Sequence, residues 1–566
     1  MDMKSGESIR VLHPRHGAGI VQSWRRGGRV AVVSFDSQPL PLEIPANELQ
    51  PSPSAASDRI MPVPVISAPP EQHSSSPTAE GTLFDKPATS TPAAIAPIPL
   101  HSAGTGMPDT QQPLESLVGS HERRHAALTL EAMRLGVVPD ADLSVYTVGR
   151  DQENAIVAGD LDRVATGGGA VRAFIGDYGV GKTHLLELLQ QRALAQGYLS
   201  ALVMLNQEET SPSHPKRVYR ALVRNVRYPD RPFEEGEGLS PLLEKAAKSS
   251  QALTRFGIVS GGPKNSLADL EAALQKGYHL YLSPAISYAR SLRGLDDSER
   301  RRRTPSAAHE ADASECLDLL EDWIEGHPTI SNQVIDTQLA RAAGKHPKIY
   351  SLLDFRPWAR IYGYLLSGIA ALARAVGYRG LVVLLDEAEF YSLLSRDNRA
   401  FADHLFKSWT YAAIGGSDVG AAEELPFDAA DIEIGGYGIQ QRLPGRYSDD
   451  SGLYIVFAMT PSPDGLAALG GAIPSDRVAT LTPLAHADYM ALAARICDFY
   501  ASAYSEWRLP GKLVEPLGKV LSGLIQAGYV SNPRHAMKFL VEFLDVVRFQ
   551  PSKVGAVVRD LQTQLV

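Results

Sequence analysis

The fold of this chain is decided by the stretch Ala173-Phe174-Ile175-Gly176-Asp177-Tyr178-Gly179-Val180-Gly181-Lys182-Thr183-His184. Its central part fits G-x-x-x-x-G-K-[ST], the pattern of a phosphate-binding loop. Glycines let successive backbone N–H groups curve around a phosphate, and the following helix directs its positive N-terminal end at the same anion. In such a loop Lys182 reaches the β- and γ-phosphate oxygens, and the Thr183 hydroxyl is a ligand for Mg²⁺. The stretch therefore predicts nucleotide binding.

The flanking sequence supports this interpretation. Val171 to Ile175 is an apolar run that predicts a buried strand before the loop. His184 to Ala195 carries leucines on one helical stripe, and Gly197 follows as a helix stop. Strand, glycine loop and helix are the arrangement that the motif requires.

A second motif lies far downstream. Leu381 to Leu385 is apolar and leads into Asp386-Glu387-Ala388-Glu389, a Walker B pattern. A buried parallel strand would place Asp386 at its carboxyl end, where it can hold Mg²⁺, and Glu387 would polarise the attacking water. The alternative is that the acidic pair only terminates an ordinary strand.

The spacing of the two motifs predicts an insertion. Thr183 and Asp386 are 203 residues apart, more than a compact ATPase core needs. Residues 210–378 have mostly helical patterns, so we expect a helical insertion between the second strand and the Walker B strand.

Two more candidate catalytic residues follow a further apolar strand, Leu453 to Met459. Thr460 follows it, where AAA+ ATPases place the polar sensor 1, and Ser462 is a second possibility. Arg477 precedes a short strand and is a candidate arginine finger acting on a neighbouring subunit's nucleotide. A surface salt bridge is the alternative role for Arg477.

The C-terminal region predicts lid helices. In Ser531-Asn532-Pro533-Arg534, Asn532 is a good N-cap and Pro533 suits the first turn, which places Arg534 at the start of a helix. This resembles sensor 2 of AAA+ ATPases, whose guanidinium reaches the phosphates. Lys538, one turn later, is the alternative.

The chain also has a separate N-terminal part. Residues 1–50 predict a small SH3-like or Tudor-like β-barrel, and residues 51–115 are a Pro-, Ser- and Ala-rich linker that we expect to be disordered. The predicted fold class is α/β: an AAA+ P-loop parallel sheet over residues 116–482 and a helical lid over residues 483–566.

Composition limits the possible functions. The apolar fraction of 44% suffices for a large core, and the net charge of −9 argues against a protein that coats nucleic acid with its whole surface. Two cysteines without metal-ligand spacing, and no long apolar stretch, predict a cytoplasmic protein without a membrane span.

These motifs together resemble the BREX-system ATP-binding protein family (BrxD-like), AAA+ ATPases of bacterial phage-defence clusters. The resemblance extends from about Leu128 to the C-terminus and includes the V-G-R-x-x-E element over Val148 to Glu153. It implies ATP and Mg²⁺ as cofactors, a superfamily 2 helicase or other defence protein and DNA as partners, and a homo-oligomer. Thr183 and Asp386 are the expected metal ligands. The expected catalytic residues are Lys182, Asp386, Glu387, Thr460, Arg477 and Arg534. The expected nucleotide contacts are Gly149, Arg150, Gly176, Asp177, Tyr178, Gly179, Val180, Gly181, Lys182, Thr183, His184 and Arg534.

The sequence thus predicts an ATPase that drives or regulates a DNA-directed defence complex. Two other functions stay open. One is an ATP-gated switch or loader with little turnover, and the other is an adaptor that recruits a partner through the N-terminal barrel.

Overall fold

The structure is a computed structural model. It describes the five strands between residues 10 and 51, and residues 114–564 apart from 138–142, 232–235, 259–262, 264–266, 296–306, 328–334, 336, 340–347, 417–437, 442, 509 and 511–512. The chain divides into two compact units, Met1–Met107 and Pro108–Val566.

The first unit contains a five-stranded antiparallel sheet in the order β4-β3-β2-β1-β5. Its strands are β1 (Arg10–His13), β2 (Gly17–Arg25), β3 (Val30–Phe35), β4 (Leu42–Pro45) and β5 (Gln50–Pro51). Short antiparallel strands of this kind agree with the all-β module expected from the sequence. Closure of the sheet into a barrel stays a prediction, and residues 52–113 of the expected linker lie outside the described residues.

The second unit is built on a parallel five-stranded sheet in the order β10-β6-β9-β8-β7. Its strands are β6 (Ala170–Ile175), β7 (Leu199–Met204), β8 (Leu381–Asp386), β9 (Leu453–Met459) and β10 (Val478–Thr480). This confirms the α/β class. Because β9 lies between β6 and β8, the carboxyl ends of all three strands meet at one edge.

Helices surround this sheet and connect its strands. They are α1 (Leu114–Arg134), α2 (Leu143–Tyr146), α3 (Asp151–Ala165), α4 (Lys182–Ala195), α5 (Pro215–Arg224), α6 (Ser240–Lys248), α7 (Ser250–Arg255), α8 (Leu267–Gln275), α9 (Leu282–Leu292), α10 (Ala307–Ile324), α11 (Ala359–Ala375), α12 (Arg396–Ile414), α13 (Gly438–Gln441), α14 (Pro463–Ala472), α15 (His486–Ala503), α16 (Val514–Gln526), α17 (Pro533–Phe549) and α18 (Val554–Gln564).

The sheet is buried on both faces. One face packs against α3 and α4 through side chains such as Phe174, Leu384 and Val456. The alternate residues of the same strands, such as Val383, pack with α11 and α12 on the other face. Burial on both sides explains why these strands are continuous apolar runs in the sequence.

The region between β7 and β8 is helical, as the sequence predicts, but it is not a separate layer. Its helices α5 to α11 share one continuous apolar core with a face of the sheet. Helix α11 is buried along most of its length, which fits a helix that is apolar on all sides. The long connection therefore forms part of the core that supports the site.

The C-terminal helices form a second cluster. Buried residues of α15, α16 and α17 pack with those of α1 and α2. Arg134 of α1 donates to Asp545 of α17 at 2.8 Å, and Arg123 donates to Ser505 at 3.3 Å. The start of the second unit is thus fastened to its last helices. No helix among the described residues has the length and apolar character needed to cross a membrane.

Candidate functional site

The glycine loop has the backbone that the motif requires. It runs from the end of β6 to Lys182, the first residue of α4. Gly179 and Gly181 have φ angles of +84° and +100°, a region that residues with a Cβ rarely enter. These glycines turn the chain so that the N-terminus of α4 faces the loop, the arrangement that binds anions.

Lys182 is held firmly inside the loop. Its side chain is buried, and Nζ donates to Gly176 O at 2.9 Å, Asp177 O at 3.2 Å and Thr460 Oγ1 at 2.9 Å. An ammonium has three protons, so these three acceptors use all of them. A phosphate oxygen must therefore replace one of these acceptors to contact Lys182.

The two predicted metal ligands are in direct contact. Thr183 Oγ1 donates to Asp386 Oδ2 at 2.7 Å, although the residues are 203 positions apart. Asp386 is only 1% exposed, and its other oxygen accepts from the backbone N–H of Glu387 at 2.9 Å. Burial raises the pKa of Asp386, and the hydrogen bond from Thr183 opposes this rise.

This pair suits magnesium. A carboxylate and a hydroxyl are hard oxygen ligands, and Mg²⁺ commonly takes one or two protein oxygens and completes its shell with phosphates and water. No cluster of three or more His, Cys, Asp or Glu side chains that could cage a metal occurs in the described ranges. The donor set therefore fits a metal that arrives with a phosphate ligand.

Glu387 lies beside the pair in an unusual conformation. It has a φ of +57°, and no other non-glycine residue in the described part of the chain has a positive φ. Such a conformation costs about 1 kcal/mol, and strain of this kind concentrates at functional sites. Burial, together with the charges of Asp386 and Glu389, raises the pKa of Glu387.

Thr460 connects the loop to the acidic segment. It follows β9, accepts the hydrogen bond from Lys182, and donates to Glu389 Oε1 at 2.6 Å. Thr460, the predicted sensor 1, thus lies between Lys182 of the loop and Glu389 of the Walker B segment. The second possibility, Ser462, instead caps α14 by accepting from Gly465 N at 3.1 Å.

The lid faces the loop from the other side. Asn532 caps α17 by accepting from His535 N at 3.0 Å, as predicted. Its Cβ lies so close to the loop that a Cβ added at Gly179 would be 2.9 Å away. Arg534 is exposed at the start of α17 and lines the cleft between lid and loop. The alternative residue, Lys538, is also exposed, and its Nζ lies 3.9 Å from Glu542.

The V-G-R-x-x-E element before the loop also supports the site, through Gly149 and Arg150. Arg150 is buried and donates to Thr482 O at 2.9 Å and to Val180 O, so its guanidinium braces the loop backbone. Gly149 allows the close approach of Asp488 at the start of α15, because a Cβ there would lie 2.6 Å from the Asp488 carboxyl carbon.

His184 completes this side of the loop. Its Nε2 lies 2.7 Å from Thr147 Oγ1, and because Thr147 also donates to Leu143 O, the histidine is the donor. Burial, together with the positive charge of Arg150, lowers the pKa of His184 to about 4. The ring is therefore neutral at physiological pH.

Arg477 lies outside the cleft. Its Nη1 is 3.5 Å from Asp160, and its Nε is 3.2 Å from Asp476. Asp160 is buried and also accepts two hydrogen bonds of 2.8 Å from Arg172. Arg477 thus makes the intramolecular ion pair that the sequence offers as an alternative, and its action on a neighbouring subunit stays a prediction.

The glycine loop, the Asp386 segment and the start of α17 surround a cleft of about 350 Å³. This volume lies within the usual range of small-molecule sites. The predicted residues that line it are Arg150, Tyr178, Gly179, Val180, Gly181, Lys182, Thr183, His184, Asp386, Glu387 and Arg534. Gly176, Asp177 and Thr460 lie behind this lining, in contact with Lys182.

Comparison with known proteins identifies the family. The family model described as BREX system ATP-binding protein BrxC/D matches residues 121–403, half of the chain. The chain belongs to the BrxC/D family. The matched region contains both the glycine loop and the Asp386 segment. No curated protein and no solved structure matches the chain.

The structure adds residues to this BrxC/D site that sequence reasoning missed. An apolar wall comprises Tyr146, Val148, Met204, Leu484, Leu492 and Met537, of which Val148 lies in the V-G-R-x-x-E element already singled out in the sequence. Glu389 is a further addition, as it lines the cleft and accepts a hydrogen bond from Thr460. Its position two residues after Glu387 was the only signal available, because the contact with Thr460 depends on the order of strands in the sheet.

Proposed function

We propose that this chain binds ATP with Mg²⁺ in the cleft and hydrolyses it. The observation that carries the proposal is the hydrogen bond between Thr183 and Asp386, which joins the end of the glycine loop to the carboxyl end of β8. Membership of a family described as ATP-binding supports the choice of nucleotide. The apolar wall of the cleft suits the base, and the loop with Lys182 suits the phosphates.

Each side chain then has a defined role. Lys182 neutralises charge on the β- and γ-phosphates, and Thr183 and Asp386 would hold Mg²⁺. When bound, this metal would neutralise the charge that develops on the transferred phosphoryl group. Glu387 orients the attacking water and accepts its proton, for which a raised pKa is favourable. Thr460 and Arg534 contact the γ-phosphate.

Glu387→Gln tests the hydrolytic step. The amide keeps the size of the side chain but cannot accept the proton, so we expect ATP binding to persist while turnover falls by about 10²–10⁴-fold. Calorimetric titration with ATP and a steady-state phosphate-release assay measure the two quantities. Glu244→Gln, at a partly exposed glutamate on α6 outside the cleft, is the matched control.

Three results distinguish the alternatives. Equal turnover in wild type and Glu387→Gln would remove the assigned base. Tight ATP binding with negligible wild-type turnover would favour the ATP-gated switch. No heat on titrating the wild type with ATP and Mg²⁺ would overturn the proposal.

We further propose that hydrolysis drives or regulates a DNA-directed complex with a helicase or another defence protein. Family membership supports a place in a BREX system. Turnover measured with duplex and with single-stranded DNA tests the DNA dependence, and stimulation by either is the expected result. Turnover that neither form changes would contradict direct coupling to DNA.

A homo-oligomer completed by Arg477 is the last part of the proposal. Its support is the position of Arg477 directly before the edge strand β10, away from its own cleft. Sizing with and without ATP should show nucleotide-dependent association. Arg477→Ala should then lose turnover while keeping ATP affinity. A monomer under both conditions would contradict this role.

A further inference from the structure

Glu389 joins the ends of two neighbouring strands at the site. It follows β8 closely, and its Oε1 accepts a hydrogen bond of 2.6 Å from Thr460 at the end of β9. Its other carboxylate oxygen, Oε2, is buried without a hydrogen-bond partner among the residues that the structure describes. Glu389 also lines the cleft, yet hydrolysis as proposed above gives it no role.

The single hydroxyl proton of Thr460 is used by Glu389. An ammonium can only donate, so Thr460 Oγ1 accepts in its 2.9 Å contact with Lys182. A hydroxyl has one proton, and that of Thr460 is directed at Glu389. The oxygens of an ionised phosphate are acceptors. Thr460 can therefore donate to a γ-phosphate only by releasing Glu389.

We infer that Glu389 is a positioning residue whose carboxylate competes with the γ-phosphate of ATP for the Thr460 proton. The inference rests on the proposed ATP site. ADP has no γ-phosphate, so it binds while the Thr460–Glu389 hydrogen bond stays intact. Glu389 therefore lowers the preference of the cleft for ATP over ADP, and ATP binding frees its carboxylate.

The test is the ratio of the ADP dissociation constant to that of a non-hydrolysable β,γ-imido analogue of ATP, each with Mg²⁺. Calorimetry on the full chain compares wild type, Glu389→Ala, Glu389→Gln, Thr460→Val and the Glu389→Ala/Thr460→Val double variant. Glu389→Ala should raise the ratio about 3–10-fold, the size of one net hydrogen bond. Glu389→Gln should raise it less, because an amide oxygen still accepts from Thr460.

The double variant separates competition from simple charge. Removing a carboxylate near a triphosphate also reduces repulsion, and that effect would persist without the Thr460 hydroxyl. In the Thr460→Val background, Glu389→Ala should change the ratio less than about twofold. Glu244→Ala, at a partly exposed glutamate that does not line the cleft, should leave the ratio at the wild-type value.

Specific results overturn the inference. A ratio that rises equally with and without the Thr460 hydroxyl would assign the effect to charge alone. Equal loss of affinity for both nucleotides would assign Glu389 a merely structural role. If Glu389→Ala does not fold, the isosteric Glu389→Gln must show its rise only when Thr460 is present. A wild type that binds neither nucleotide overturns the ATP site itself, a result distinct from the other two.

Discussion

The glycine loop and the start of helix α17 face each other across one cleft, and they are built in opposite ways. On the loop side, Lys182 is buried and uses all three of its N–H bonds within the chain. On the lid side, Arg534 is exposed and makes no hydrogen bond or ion pair with any described residue. Both cations line the same space.

The difference indicates that the two cations act differently on a bound nucleotide. A cation held by several acceptors is preorganised, whereas an unrestrained guanidinium is able to adjust to its ligand. The two sides meet where Gly179 lies against Asn532. We therefore expect the loop side to determine whether a nucleotide binds, and Arg534 on the lid side to add only to the recognition of the γ-phosphate.

Removing Lys182 should have the largest effect. Lys182→Ala is expected to reduce turnover at least about 10²–10³-fold, because it deletes the preorganised charge beside the phosphates. Lys182→Met retains the apolar stem and should lose as much, which assigns the loss to charge. The exposed Lys248 of α6 supplies the control, Lys248→Ala. Turnover in Lys182→Ala close to that of this control would contradict the role of the loop.

Removing Arg534 should have a smaller and more selective effect. Arg534→Ala is expected to weaken ATP binding about tenfold relative to ADP, while the unfolding free energy changes by less than about 0.5 kcal/mol because the side chain is exposed and no hydrogen bond or ion pair is lost. Titrations with both nucleotides and a denaturant melt measure these values. Lys538→Ala is the comparison, and a greater loss of ATP preference in that variant would transfer the sensor role to Lys538.

Gly179→Ala tests the contact between the two sides. The new methyl group would enter both an unfavourable φ region and the space beside Asn532, so ATP affinity should fall about tenfold. Gly377→Ala provides the control for strain alone, since Gly377 has a φ of +101° and nothing within 4 Å of the added Cβ. Unchanged affinity in Gly179→Ala would show that lid and loop do not depend on this contact.

Lowering the pH should reduce the stability of the folded chain modestly, through His184. The pKa of His184 is about 4 in the folded chain against an ordinary value of 6.5. Between these values the unfolded chain binds a proton that the folded chain does not, so stability falls as pH falls, by at most about 1.4 kcal/mol per pH unit. Thermal melts at pH 7 and pH 5 should show a smaller difference for His184→Gln than for wild type. The exposed His486 gives the control variant, and identical pH dependence in wild type and His184→Gln would contradict the assignment.

The loop side could be predicted from sequence because its signals are local. The glycines, Lys182 and the flanking strand and helix lie within a short continuous stretch, and the Asp386 segment is equally continuous. Thr460 is likewise predicted from the apolar strand that precedes it, and its hydroxyl lies against Lys182. The meeting of these three segments then follows from the parallel sheet, which brings their carboxyl ends to one edge.

Other features depend on contacts that no local pattern records. Glu389 and Thr460 are 71 positions apart, and their hydrogen bond requires β8 and β9 to be neighbours. The packing of α1 on the lid depends on pairs such as Arg134 and Asp545, which are 411 positions apart. Helical periodicity predicts helices between β7 and β8 but does not show that α11 covers one face of the sheet.

Because α1 is attached to α17, a label on the exposed surface of α1 would follow movements of the lid. Since Arg134 and a shared apolar cluster couple the two helices, rotation of the lid would carry α1 with it. Leu128 of α1 is 63% exposed, whereas both native cysteines, Cys316 and Cys497, are buried. A fluorophore on a single thiol engineered at Leu128 would therefore report lid rotation from outside the cleft, without perturbing the chemistry that it follows.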